Sequence, residues 1–416
     1  MARDVPRRTA PRRHGRHPLR AACRLIDGSV IDASSSLLQR QTHDVVSLVM
    51  GAPAADAIPV EAFRAVSEEV LGDAADALSY GPTEGERSLR SELGHFLAAN
   101  GDPVDPRRLL VTAGGMQGLD LVCKLFVDPG DLVIAESPTY TNGTGTIRSY
   151  EGSVLEVPVD ADGMVVEALE ELVSADGRTP RLVYTIPTFQ NPSGTTMSVE
   201  RRARLLELAE AWDAVVLEDD PYGLLGFDGP PPPSLRAMSG EDPRVVGVHT
   251  FSKILAPGLR VGWVVASPEI VERMVAAKQA MDTCTNVLGQ RLVAGILARG
   301  DMDAHLARLR RVYRDKKDAM RAALDEHFGA EEGCAWTDPG GGLFLWLTLP
   351  EGVDAQGLFE VALAEGVAFI PGPAFSVSGA YPNALRLCFS YPEEARTREG
   401  VARLRRAYDA FTAARS

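Results

Sequence analysis

The chain has 416 residues, 45% of them hydrophobic and 24% charged, with a formal charge of −14; this is long enough for two packed domains and close to the composition of soluble globular proteins. No apolar run approaches the length of a membrane span, so a membrane-spanning protein is not expected. Residues 1–24 hold eight Arg and one acid, +7, which leaves −21 for the rest, too acidic a body to track a phosphate backbone; nucleic acid is not an expected partner.

The Arg-rich leader lacks the apolar core of a secretory signal and reads as a disordered tail over 1–32. Cys23, Cys123, Cys284, Cys334 and Cys388 are odd in number and contain no C-x-x-C pair, which argues against a disulfide framework or zinc knuckle and points to the cytoplasm. After the leader, Ser47–Met50 reads as a short strand and Pro59–Leu71 as an amphipathic helix. Buried-strand runs follow at Leu109–Thr112, Leu132–Ala135, Val154–Val157, Leu182–Ile186, Ala214–Leu217, Val245–His249 and Val261–Val265, interleaved with helical stretches such as Val199–Trp212. That alternation predicts an α/β fold with a mostly parallel sheet between helices. A long helix is expected over Asp303–His327, then a smaller α+β domain with strands at Gly342–Leu349, Val367–Ile370 and Leu385–Ser390 and helices at Ala355–Glu365 and Arg396–Thr412.

In an open parallel sheet ligands bind beyond the carboxyl ends of the strands, and here those ends are polar. The first run enters Gly114-Gly115-Met116, a helix start suited to a phosphate; the next ends at Tyr140; a third ends in Gln190-Asn191-Pro192-Ser193-Gly194. Glu218-Asp219-Asp220 places three consecutive carboxylates at another strand end, where they repel and need a positive partner, protein or ligand; the dispersed histidines argue against a metal in that role. Thr250-Phe251-Ser252-Lys253 then offers one of only five lysines in the chain, flanked by apolar Phe251, Ile254 and Leu255, where desolvation lowers its pKa and yields an amine nucleophile.

Asn191-Pro192-Ser193-Gly194, Asp219 with Tyr222, Ser252-Lys253 and Pro257-Gly258-Leu259-Arg260-x-Gly262 together resemble the class I/II aminotransferases, pyridoxal phosphate enzymes of fold type I, from about Val46 to Phe411. Tyr80-Gly81-Pro82, Pro339-Gly340-Gly341-Gly342 and Pro371-Gly372 narrow the likeness to the branch of the α-aminoadipate and kynurenine aminotransferases and the catalytic domains of MocR-type regulators. The resemblance implies an N-terminal small-domain segment over 33–66, a large cofactor-binding domain over 67–300 and a C-terminal small domain over 301–416. It implies that Lys253 forms the Schiff base with pyridoxal phosphate and carries the proton from substrate Cα, while Asp219 keeps the pyridine nitrogen protonated. Asn191 and Tyr222 would bond the ring's phenolic oxygen and Tyr140 stack on its face. The phosphate would sit on the backbone N–H groups of Gly115 and Met116, the hydroxyls of Thr250 and Ser252 and the Arg260 guanidinium. Tyr80 would reach the phosphate of a neighbouring subunit, implying a homodimer with shared active sites; Arg386 would clamp the substrate α-carboxylate, with Gly51 leaving room for it. Gly115-Met116 stands where the family usually has Ser-Gln, and Thr250 where Ser is commoner.

The activity implied is transamination between an α-amino acid and a 2-oxo acid. The same residues also serve enzymes that divert the substrate carbanion to β- or γ-elimination, replacement or C–C bond formation. A regulatory role is not expected, because the segment before Val46 is too short for a winged-helix domain. Substrate side-chain preference is not legible at this level.

Overall fold

The computed structural model describes Gly28 and residues 30–72 and 74–414. The leader expected over 1–32 lies outside these residues as far as 27, and Val30–Gln39 is helical.

Eight strands make the central sheet: β1 (Leu109–Thr112), β2 (Leu132–Ser137), β3 (Ser153–Asp160), β4 (Gly163–Met164), β5 (Pro180–Thr185), β6 (Val215–Asp219), β7 (Val245–Thr250) and β8 (Gly262–Val265). Their order is β1-β8-β7-β6-β5-β2-β3-β4. Strands β3, β2, β5, β6 and β7 run parallel, β8 lies antiparallel between β7 and β1, and β4 closes the far edge antiparallel to β3.

Both faces of this sheet are buried, which is why its strands read as unbroken aliphatic runs rather than alternating ones. Side chains of alternate residues enter two separate cores. Val133, Ala135, Leu182, Tyr184, Leu217 and Val248 join a core shared with Leu119 and Val122 of the helix α1 (Gly115–Phe126). Ile134, Val183 and Val216 join another, shared with Leu205 and Leu208 of the helix Val199–Trp212. The helix Pro268–Gln279 begins with the Ser267 hydroxyl accepting from the Ile270 N–H and Pro268 at its first position.

A helix over Met302–Phe328 leads to a second sheet, antiparallel, made of β9 (Ala335–Trp336), β10 (Phe344–Thr348), β11 (Ile370–Pro371) and β12 (Ala384–Cys388) in the order β9-β10-β12-β11. Val46–Ser47 pairs in parallel with Val367–Ala368, tying the N-terminal segment to this second unit. The long helix packs along Glu394–Ala413. The run expected as one strand over Val367–Ile370 is split into Val367–Ala368 and Ile370–Pro371, which pair with different neighbours. Of the strand expected over Ser47–Met50, the regular ladder covers Val46–Ser47; Leu48 still donates to the Ala368 carbonyl and accepts from the Cys388 N–H, both at 2.8 Å, and Met50 and Gly51 then line the cavity between the two sheets. No helix among the described residues is long and apolar enough to cross a membrane.

Candidate active site

The carboxyl ends of β2, β5, β6 and β7 open onto a cavity of about 460 Å³, closed on its other side by the second sheet through Phe344 and Arg386. Gly51, Gly115, Met116, Tyr140, Asn191 and Asp219 line it, and so do Tyr222, Thr250, Ser252, Lys253, Arg260 and Arg386. Tyr80 does not: it is 87% exposed and borders a separate depression with Asp282, Cys284 and Asn286. Arg40 and His43 are exposed, away from the cavity, the His43 ring meeting the Leu363 carbonyl at 2.9 Å. A larger cavity of about 820 Å³ shares Pro221 and Thr250 with this one but has none of Lys253, Asp219 and Arg386 in its walls.

The consecutive carboxylates Glu218, Asp219 and Asp220 do not form one cluster. Strand alternation sends Glu218 to the opposite face, where it accepts from the N–H groups of Leu235 and Arg236 at 2.8 and 2.9 Å. Asp220, past the strand end, accepts from the Gly223 N–H at 2.7 Å. Asp219 alone faces the cavity, accepting from the Tyr184 hydroxyl at 3.0 Å. Burial raises the Asp219 carboxyl to about 7; the Tyr184 hydrogen bond and the Lys253 charge work against that rise, and the Asp220 charge adds to it.

Lys253 follows β7, and its Nζ donates to the Gly51 carbonyl at 2.6 Å. Burial pushes its ammonium down to about 8, and the nearby Arg386 and Arg260 charges act in the same direction. A neutral amine is therefore available close to physiological pH, which a solvent-exposed lysine does not offer.

At another part of the cavity wall, Gly115 and Met116 begin α1, so their N–H groups have no partner within the helix. The Thr250 hydroxyl donates to the Ser252 hydroxyl at 2.9 Å, and Arg260 reaches over this pair, 3.5 Å from the Ser252 Oγ. A β-carbon at Gly115 would meet nothing closer than 3.7 Å, so space does not demand glycine there. Met116 instead offers its sulfur to the Tyr140 hydroxyl at 3.7 Å.

Arg386 stands at the centre of β12, 1% exposed, its guanidinium 4.1 Å from the Phe344 ring centre and 5.1 Å from that of Phe375. It donates to the Asn191 Oδ1 at 3.1 Å and the Val49 carbonyl at 2.7 Å, while its Nε is buried without a hydrogen-bond partner. Such an orphan donor beside an aromatic-walled cavity suits an incoming carboxylate. Gly51 makes the close approach possible, since a β-carbon there would overlap the Phe344 ring, 2.9 Å from Cε1. Phe344 also meets Tyr222 edge-on, with ring centres 5.9 Å apart.

An amine at the floor, a carboxylate opposite, a helix start with hydroxyls and a guanidinium at one end and a fork-shaped cation at the other together suit pyridoxal phosphate bearing an amino acid. The matching family model, aminotransferase class I and II, covers residues 43–404, so the chain belongs to that family, whose members are pyridoxal phosphate-dependent aminotransferases of fold type I. It is 42% identical over 369 residues to aromatic-amino-acid aminotransferase 1 of Thermococcus litoralis, covering 88% of each chain. It is 39% identical over 385 residues to the 2-aminoadipate transaminase of Thermus thermophilus, covering 92% of this chain and 94% of that one. Among solved structures, Pyrococcus horikoshii kynurenine aminotransferase in complex with PMP, with KYN as substrate and KYA as product, matches at a TM-score of 0.88 and 39% identity, covering 94% of this chain and 97% of the other.

Sequence reading singled out neither Tyr184 nor Phe344 as a site residue. Tyr184 is the one polar-tipped aromatic in the run Leu182-Val183-Tyr184-Thr185-Ile186, a phenol that needs a partner once both faces of the sheet are buried. Phe344 carries no comparable signal, because its place over Arg386 depends on the pairing of β10 with β12.

Proposed function

We propose that the enzyme transfers the amino group of an apolar or aromatic α-amino acid to a 2-oxo acid, with Lys253, Asp219 and Arg386 as the chemical core of the site. The convergence of these three side chains on one cavity, from β7, β6 and β12, carries this reading. Bound pyridoxal phosphate supplies the carbonyl that accepts the amine and the ring that takes up electrons from the substrate Cα. Lys253 Nζ would take the proton from the substrate Cα and deliver it to C4′, the cofactor carbon that ends up bearing the amine. Asp219 would hold a proton on the pyridine nitrogen, Tyr140 would cover the ring, and the Asn191 amide and the Tyr222 hydroxyl would serve its phenolic oxygen. The N–H groups of Gly115 and Met116, with Thr250, Ser252 and Arg260, would hold the phosphate, and Arg386 would take the α-carboxylate.

The apolar preference is supported by the apolar side chains in the cavity lining, which include Met50, Leu119, Ile186 and Phe344. Lys253, Arg260 and Arg386 are the cations among the described lining residues, and each already has a role, so a second substrate carboxylate would be desolvated without a counter-charge. The name of the Thermococcus relative agrees with this preference. The kcat/KM for phenylalanine is expected to exceed that for 2-aminoadipate by about tenfold or more, the scale of an unpaired buried charge; the reverse order would refute the substrate assignment.

The functional assembly in this reading is a homodimer, with exposed Tyr80 and Leu78 meeting a second copy and Tyr80 completing the partner's phosphate site. In this reading the chain divides into an N-terminal small-domain segment over 33–66, a large cofactor-binding domain over 67–300 and a C-terminal small domain over 301–416. The four described cysteines are free, in keeping with a cytoplasmic enzyme.

The depressed Lys253 value sets a pH dependence. Below about 8 the ammonium dominates, so the rate at which cofactor-free enzyme captures pyridoxal phosphate should rise about tenfold per pH unit and level off above about 8. Stopped-flow absorbance checks this; a rate still climbing at pH 10 would mean an ordinary, solvated lysine.

A further inference from the structure

We propose that Tyr184 is a positioning residue for the cofactor ring, its hydroxyl holding Asp219 in the orientation that meets the pyridine nitrogen, and that position 143 is glycine to admit it. This rests on the reading of Asp219 given above.

Tyr184 is the penultimate residue of β5, fully buried, just before the strand's exit toward the cavity. It pairs in register with Leu217, so its ring points to the same face as Asp219, two residues further along β6. Its hydroxyl donates to the Asp219 Oδ2 at 3.0 Å, the shortest route by which the buried phenol is satisfied. A carboxylate free to rotate at a strand end would lose the in-plane approach that a pyridinium N–H requires; a donor fixed on the neighbouring strand removes that freedom.

The second observation comes from the helix α2 (Thr141–Ser149), which starts directly after Tyr140. Glycine is a poor helix residue, yet α2 contains two. At Gly143 a β-carbon would overlap the Tyr184 ring and hydroxyl, lying 2.6 Å from Cε1; at Gly145 nothing lies within 4 Å. Gly143 is thus the place where α2 yields volume to the phenol, and Gly145 is not. The pair links the helix that follows the stacking Tyr140 to the carboxylate under the ring.

The Tyr184 bond also opposes what burial and Asp220 do to Asp219, favouring its charged form. Without it the proton shared with the ring nitrogen shifts toward the carboxylate, and the ring becomes a weaker electron acceptor.

The test uses holoenzyme loaded with 15N-labelled pyridoxal phosphate. Tyr184→Phe keeps the ring volume and removes only the hydroxyl, so the fold is retained. Expected are a 15N signal displaced toward unprotonated pyridine, a kcat lower by about tenfold and a donor KM within about threefold, as for loss of one hydrogen bond to a charged group. Gly143→Ala should move the signal the same way, and Gly145→Ala should leave it in place. An unchanged 15N signal and kcat in Tyr184→Phe would overturn the proposal. Asp219→Asn separates the two levels: if it displaces the signal and Tyr184→Phe does not, only the role of Tyr184 fails, whereas if neither does, the assignment of Asp219 itself fails and takes this proposal with it.

Discussion

Lys253→Ala is expected to lower the rate of amino-group transfer by about four orders of magnitude or more, the upper range for removing a group that moves a proton in the rate-determining step. Lys253 Nζ lines the cavity, held by the Gly51 carbonyl, and among the described lining residues no other lysine can replace it as an amine. Its neighbours Phe251, Ile254 and Leu255 are all buried, so the shortened side chain should leave β7 and its turn in place. A second readout is independent of turnover. Borohydride treatment of the loaded wild-type enzyme should fix the cofactor to the peptide containing Lys253, and the variant should retain none after unfolding. Cofactor fixed to a different lysine would move the site elsewhere.

Arg386→Lys is expected to reduce kcat/KM for the amino donor by about a hundredfold, mostly through KM, although the charge is kept. The guanidinium is planar and lies against the rings of Phe344 and Phe375, with two nitrogens already engaged by Asn191 and Val49 and Nε still to be satisfied. A lysine ammonium can neither present a fork to a carboxylate nor keep Asn191 oriented at the same time. Steady-state kinetics with the amino acid varied at saturating oxo acid measures this; a variant with unchanged KM would show that the α-carboxylate binds elsewhere.

Much of this molecule is legible in its sequence because its central sheet is buried on both faces. Runs such as Leu132-Val133-Ile134-Ala135 and Val245-Val246-Gly247-Val248 announce strands without help from tertiary context; most boundaries moved by a residue or two, as from Val261–Val265 to Gly262–Val265, though the run expected over Val154–Val157 extends to Asp160. Two-residue edge strands such as β4 and β9 have no periodicity to detect, and their existence depends on the neighbour they pair with. The order of strands is equally hidden: the antiparallel insertion of β8 between β7 and β1 is set by long-range packing. At the site, the strand-end motifs put Lys253, Asp219 and Asn191 within reach of one another on physical grounds alone. The same reading treated Glu218, Asp219 and Asp220 as mutually repelling neighbours; the Asp220 charge does raise the pKa of both of the others, but the period of two sends the side chains to different faces and partners, so they form no single cluster. Tyr184 and Gly143 come together only through the docking of a helix on a sheet, which neither local sequence records.

The central claim is that these residues transfer an amino group rather than expel or replace a side-chain fragment. It is tested most directly by a single turnover: the purified holoenzyme is mixed with phenylalanine and no oxo-acid acceptor, its visible spectrum is followed, and the products are weighed by mass spectrometry. The account predicts stoichiometric conversion of pyridoxal phosphate to its aminated form with release of the matching 2-oxo acid, and reversal on adding a 2-oxo acid. Loss of a side-chain fragment, or a cofactor that never accumulates in the aminated form with any amino acid supplied, would contradict it.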